Sequence, residues 1–226
     1  MVSVCVTPIK GRMARLVKLD TCGNPVTGAS SAMVISKGYI SVEMKPQYED
    51  GQEYLQRAAD GTPCVNQKDD GFLKRMQLTM NWCVMDPDAI VIMTGARLLS
   101  TSATGTGVAF GESVASAQFS LELWQDITGR GACSASGIPQ YVYWAFTNVG
   151  NGQVQDYKVE NGALQFSIQA ETTAVGSRWG TGVGWGSTFW LPTNTGSVLN
   201  SDEHYAYNIT TVAPPTAVCG AQTLAG

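Results

Sequence analysis

Apolar and polar residues alternate with period two over much of this chain. Ile40, Val42 and Met44 alternate with Ser41, Glu43 and Lys45. Phe72, Met76, Leu78, Met80, Trp82 and Val84 share one parity, and Arg75, Gln77, Thr79 and Asn81 the other, with Lys74 interrupting the apolar face near its start. Ala117, Phe119, Leu121 and Leu123 alternate with Gln118, Ser120 and Glu122, and Leu164, Phe166, Ile168 and Ala170 with Gln165, Ser167 and Gln169. Successive side chains of a strand point to opposite faces, so this pattern predicts half-buried sheet. Tyr141–Thr147 and His204–Val212 are rich in aromatic and β-branched residues and are read as further strands. Gly129-Arg130-Gly131, Gly150-Asn151-Gly152 and Asn161-Gly162 are read as turns between them.

One segment departs from period two. Residues 86–95 predict a short helix, with Asp86 as cap, Pro87 at the first helical position, Asp88 in the first turn and Gly95 as the left-handed stop. Such a short helix needs a sheet to receive Ile90, Val91 and Met93. Pro46–Asp70 holds Pro46, Gly51, Gly61, Pro63 and several charges with no sustained period, which predicts a long irregular loop between two strands. Tyr48, Tyr54, Leu55 and Val65 make it too apolar for a free linker. It reads either as an arm that docks on a neighbouring molecule or as a loop folded on its own body. Gly180–Ser201 is read as a second irregular stretch. The expected fold class is therefore mainly β, as one domain over residues 1–226, with a decoration within 101–226 as the alternative.

Charged residues are 14% of the 226, against roughly 25% in typical soluble proteins. A surface with few charges is less costly to cover, which points to self-association. The formal charge of −4 is uneven: residues 1–100 hold 11 Lys+Arg and 10 Asp+Glu, residues 101–226 hold 3 and 8. The Ser100–Gly105 stretch at that shift is read as a plain loop. No basic cluster suits tight binding to a phosphate backbone. The six cysteines, Cys5, Cys22, Cys64, Cys83, Cys133 and Cys219, form no C-x-x-C pair, so free thiols are expected. Met1–Asp20 does not read as a secretion leader, and the apolar run Ala89–Met93 is too short to span a membrane. Synthesis in a cytoplasm is the expectation.

Catalytic chemistry finds little purchase. The one histidine, His204, sits beside Asp202 and Glu203 and is read as a surface residue of a polar turn. Histidine-based triads and metal sites are thereby disfavoured. The acid pairs Asp86/Asp88, Glu49/Asp50 and Asp202/Glu203 fall where capping or turn acids are expected. Gly180–Gly186 is glycine-dense but lacks the Lys-Ser/Thr of a phosphate loop. No enzyme activity and no cofactor or metal is expected. Trp179, Trp185 and Trp190 could fill a core, or stack on sugars or a partner.

The stretch from Val17 to Leu98 has a further property. VKLDTCGNPVTGASSAMVISKGYISVEMKPQYEDGQEYLQRAADGTPCVNQKD followed by LKRMQLTMNWCVMDPDAIVIMTG resembles the major tail proteins, or tail tube subunits, of long-tailed bacteriophages infecting actinobacteria. The resemblance covers about the first 100 residues. It implies a tail-tube-type β-sandwich or barrel flanked by one helix. It implies stacked rings, hexameric in the usual case, that form a hollow tube in the virion tail, through which DNA passes at genome ejection without specific binding. It also implies that the long loop reaches an adjacent subunit and that the termini contribute inter-ring contacts. On that basis Tyr48, Tyr54, Leu55 and Arg57 are expected as subunit contacts. Glu43, Glu122 and Asp126 are expected to face the lumen. Besides further copies of this chain, the implied partners are tape measure, tail terminator and distal tail proteins. Rival readings are another virion structural protein (a tail terminator or capsid decoration protein), a carbohydrate-binding β-sandwich module using Trp179, Trp185 and Trp190, and a hydrolase acting through carboxylates.

Overall fold

The computed structural model describes residues 6–84, 86–101, 104–112, 117–129, 131–157, 159, 161–162, 165–174, 200 and 202–224. The described strands are β1 Thr7–Lys18, β2 Met33–Ser36, β3 Tyr39–Glu49, β4 Glu53–Arg57, β5 Pro63–Lys68, β6 Phe72–Trp82, β7 Arg97–Thr101, β8 Thr104–Ala109, β9 Gln118–Thr128, β10 Tyr141–Val154, β11 Phe166–Thr172, β12 Tyr205–Thr210 and β13 Val218–Gln222. Of these, β3, β6, β9 and β11 arise from the alternating segments and β10 and β12 from the aromatic and β-branched ones. Nine of them form one antiparallel sheet in the order β13-β2-β1-β9-β10-β11-β6-β3, with β12 also on β10. Strands from both sides of residue 100 interleave, so the charge shift does not divide the sheet. Within the stretch expected as a plain loop, Ser100 pairs with Gly105 and Thr101 with Thr104 at the end of the β7–β8 ladder.

β10 bends this sheet. Tyr141–Phe146 pairs with β9 on one edge and β12 on the other, whereas Val149–Val154 has β11 on that other edge. Register shifts fall between Phe146 and Val149 and between Gly150 and Gln153. Bulges kink a strand and increase its twist. Gly150-Asn151-Gly152 is thus a bulge inside β10, not the expected turn, with Asn151 at φ 55°. The connection to β11 is the longer stretch that includes Asn161-Gly162. Beyond the bend, β11, β6 and β3 close over the same core as β1 and β9. Leu16, Phe119, Leu121, Phe146 and Val149 cluster there with Met76, Leu78, Met80, Trp82 and Ile168. At the far end of the sheet Tyr39 returns to β1, where its hydroxyl occupies the space a Cβ on Gly11 would need.

The helix α1, Pro87–Thr94, forms as its sequence predicts. Asp86 Oδ1 accepts from the amides of Asp88 and Ala89, and Gly95 stops the helix at φ 70°. Ala89, Ile90, Ile92 and Met93 are buried, while Val91 is only half-buried. The two helix acids also hold the C-terminal strand: Asp86 Oδ2 accepts from Gly220 N at 3.0 Å and Asp88 Oδ2 from Ala221 N at 3.2 Å. The helix lies against the β10 bulge so closely that a Cβ on Gly152 would overlap the Met93 carbonyl oxygen. Gly152→Ala must separate helix and strand, and is expected to lower stability by about 1–3 kcal/mol in a denaturant titration.

The sheet is not half-buried throughout. On the opposite face of β1, β9 and β10, Met13, Val17, Trp124, Tyr143 and Ala145 cluster with Leu19, Ala32, Ile35 and Leu224. The segment after β1 and the C-terminal residues cover this face, tied by Gly28 N to Leu224 O at 3.0 Å. β9 is therefore enclosed on both sides, and Ser120 and Glu122, on its polar parity, are fully buried.

Candidate functional site

The segment expected as an irregular loop is a β-hairpin arm. β3 and β6 pair as far as Glu49 and Phe72, and Asp69 N continues the ladder to Gln52 O at 2.9 Å. Beyond this, β4 and β5 pair from Glu53↔Lys68 to Arg57↔Pro63. Gly51 stands where a Cβ would overlap the Asp69 carbonyl, so the ribbon pinches there before running outward. The tip is set by Asp60-Gly61. Gly61 is at φ 83°, and Asp60 Oδ1 accepts from the amide and hydroxyl of Thr62 at 3.0 and 2.6 Å. Asp-Gly between two short extended runs is the hairpin signal in the sequence that the lack of period two conceals.

All residues of β4 and β5 are exposed. Two-stranded ribbons are marginal alone in water. This one still displays apolar side chains, with Tyr54 and Leu55 about half exposed and Val65 41% exposed. Pairing puts Tyr54, Gln56, Val65 and Gln67 on one face and Glu53, Leu55, Asn66 and Lys68 on the other. At the root, Tyr48 is 72% and Phe72 60% exposed. Of the expected contact residues, Tyr48, Tyr54 and Leu55 are thus presented outward. Arg57 is exposed too, but its Nη1 donates to the Gly61 carbonyl at 3.1 Å, so it braces the tip. Phe72 joins them; its place at the end of a long alternating run hid it as a core residue.

Edges add to this surface. β3 ends the sheet over Tyr39–Glu49. Met44 and Val42 pack on the core while Glu43 faces outward with Thr79 beside it. The outward side of β3, β6 and β11 is polar, carrying Ser41, Glu43, Lys45, Gln77, Thr79, Asn81, Ser167 and Gln169. Cys22, Cys64, Cys83, Cys133 and Cys219 are exposed, although cysteine is among the residues most often found inside. Trp179, Trp185 and Trp190 lie outside the described residues, as does the expected irregular stretch Gly180–Ser201 apart from Asn200.

Glu122 cannot line a lumen. It is fully buried, paired with Arg15 across β1–β9, and its Oε1 accepts from the Tyr143 hydroxyl at 2.7 Å. The Arg15 guanidinium also lies over the Trp124 ring at 5.2 Å. Burial pushes the Glu122 carboxyl up, and the Arg15 charge and the hydrogen bonds from Arg15 and Tyr143 pull it back. Parity suggested an outward acid because a sequence does not show which sheet faces other segments cover. Asp126 is nearer the surface and accepts from Arg12 Nη1 at 3.2 Å.

His204 is likewise no surface residue. It is 5% exposed, and its Nδ1 lies 3.0 Å from Thr172 Oγ1, which accepts from Met76 N at 2.9 Å. A hydroxyl that already accepts can donate to the unprotonated nitrogen of a neutral imidazole. Burial lowers the His204 pKa, and main-chain contacts at Leu73 and Thr172 oppose the shift. The residue stitches β6, β11 and the start of β12 beside a cavity of about 450 Å³ that Arg75, Glu171 and Asp202 also line. A depressed histidine pKa means the unfolded chain takes up the proton first, from about pH 6.5 downward. Stability is fully present above that pH and falls as pH drops toward the folded-state pKa. His204→Asn is expected to flatten this slope, read as the difference in denaturation midpoint between neutral and mildly acidic buffer.

No grouping of three or more His, Cys, Asp or Glu among the described residues could hold a metal ion. No helix among them is long and apolar enough to cross a membrane. No model of a known protein family and no curated protein matches the chain.

Proposed function

We propose that this chain is a tail tube subunit: a structural virion protein of a long-tailed bacteriophage that stacks as hexameric rings into a hollow tail, through which DNA passes. The observation that carries this reading is the arm. A ribbon with every residue exposed and Tyr54, Leu55 and Val65 displayed is explained if another copy covers it. The resemblance of Val17–Leu98 to tail tube subunits supplies the class, and the one-helix β architecture is consistent with it. Among the described strands β3 has one unpaired edge, which gives a second reason for assembly, since uncovered edges pair unless they are blocked or used. In this reading the polar outward face of β3, β6 and β11 is the lumen candidate, with Glu43 as its acid and Lys45 offsetting it; a face with no basic cluster suits passage of DNA without binding. Tape measure, terminator and distal tail proteins would be its further partners.

Negative-stain electron microscopy across a concentration series tests the reading. Hollow tubes or stacked rings with a central channel are expected. Closed rings that never stack would favour a terminator or decoration protein, and a monomer at every concentration, even with tail-tip complexes added as a template, would count against assembly altogether.

A further inference from the structure

We infer that the arm of one copy docks as an added strand pair on the exposed first half of β1 in a second copy. The inference rests on the self-assembly proposed above and names the receiving surface. Three properties meet at residues 7–12. The first is an open edge: β9 pairs with one side of β1 along its length, whereas β2 pairs with the other side only from Ala14 to Val17. The backbone of Thr7–Lys10 is thus free on that side among the described strands. A ribbon with two open edges, such as β4–β5, can extend a sheet there through main-chain hydrogen bonds.

The second property is an apolar side chain turned outward. The register of β1 slips between Pro8 and Lys10 and between Gly11 and Met13. Ile9 is the extra residue of the first slip, and it is 62% exposed. A bulge re-aims the side chain it carries, and here it offers an aliphatic contact for Tyr54 or Val65 of an incoming arm. All six residues from Thr7 to Arg12 are exposed; Tyr39 lies over Gly11 and Tyr141 beneath Arg12, and among the described residues no strand covers the free edge of Thr7–Lys10.

The third is charge. Residues 50–70 carry Asp50, Glu53, Asp60, Asp69 and Asp70 against Arg57 and Lys68, a net of −3. The half-strand presents Lys10 and Arg12 with Asp126 alongside, a net of +1. Arg12 is 51% exposed and Asp126 27%, so the cation is the more accessible of that ion pair. The signs are complementary, and complementary surfaces steer encounter and fix register. The edge strand β3 also carries an exposed bulge residue, Ile40 at 47%, three positions from Lys37, and the cross-link from Cys64 to position 9 distinguishes the two edges.

A charge-exchange experiment on the full chain tests this. Lys10→Glu in one variant and Glu53→Lys with Asp69→Lys in another should each lower the sedimentable polymer on the order of tenfold, through like charges facing each other. An equimolar mixture of the two should restore polymer, because every contact between unlike copies is then complementary. Circular dichroism melts check that each variant folds. A second measurement does not depend on the reversals. A bismaleimide should join the native Cys64 of the arm to a cysteine placed by Ile9→Cys. In a mixture of nitrogen-14 and nitrogen-15 protein, the linked peptides should be of mixed isotope. Wild-type polymer with unaffected variants, or cross-links from Cys64 only to other sites, would overturn the docking surface and leave the assembly reading standing. Absence of wild-type polymer under every condition would remove both.

Discussion

Excising Glu53–Lys68 and joining Gln52 to Asp69 through an Asn-Gly turn is expected to give a folded protein that no longer polymerises. The graft point follows from the ribbon itself. Gln52 O and Asp69 N are already hydrogen-bonded at 2.9 Å, so the two ends face each other across a ladder that a two-residue turn can close. The removed residues contribute nothing to either apolar cluster. The thermal midpoint should therefore stay within a few degrees of wild type, as for a surface change of about 0.5 kcal/mol or less. Assembly should fall below detection by sedimentation and electron microscopy, since the residues offered to the neighbour are gone. Tubes of normal length from this variant would show that the arm is dispensable. A collapse of the fold would show that the ribbon supports its own subunit.

The second large effect is expected inside the molecule. Arg15→Met leaves the fully buried Glu122 without its cation, although Tyr143 still donates to it. Breaking one side of a buried ion pair costs about 3–5 kcal/mol, because the remaining charge stays out of water. The loss should depend on pH. Without the cation, burial raises the Glu122 pKa further above that of the unfolded chain, so the folded state holds its proton more tightly. Stability of the variant should then be greatest at acid pH and decline as pH rises through the unfolded value toward the folded one. Replacing both partners, Arg15→Met with Glu122→Leu, should recover most of the stability and abolish that slope. Denaturant titrations at several pH values read both effects. A small, pH-independent loss for Arg15→Met alone would mean that water reaches Glu122.

These expectations divide along what each residue pattern encodes. The helix was legible residue by residue, because capping is local chemistry: Asp86, Pro87, Asp88 and Gly95 each act within one turn. The alternation of β6 and β11 was equally legible: Met76 to Trp82 and Phe166 to Ala170 bury one parity as expected, whereas Phe72 and Val84, at the ends of the first run, are exposed. The arm was legible as an excursion with displayed Tyr and Leu, but its regular structure was missed. No subunit face buries it, so its strands carry no apolar–polar alternation. Only Asp60-Gly61 marked the hairpin.

A mainly β chain with one capped helix, an apolar-bearing excursion after β3 and a low content of charged residues can be read from the order of residues alone. Those follow from short-range rules: period two, caps and turn residues. Long-range packing covers β9 on both faces, which converts Glu122 from an expected lumen acid into half of a buried ion pair. It alone decided that His204 lies beneath the surface between strands 30 or more residues apart in the chain. It alone turned Gly150-Asn151-Gly152 from a turn into the bulge that bends the sheet. The physical reason is common to all three. Burial and register are set by which distant segments come to lie alongside, and a polar residue in an alternating run carries no mark of what will cover it.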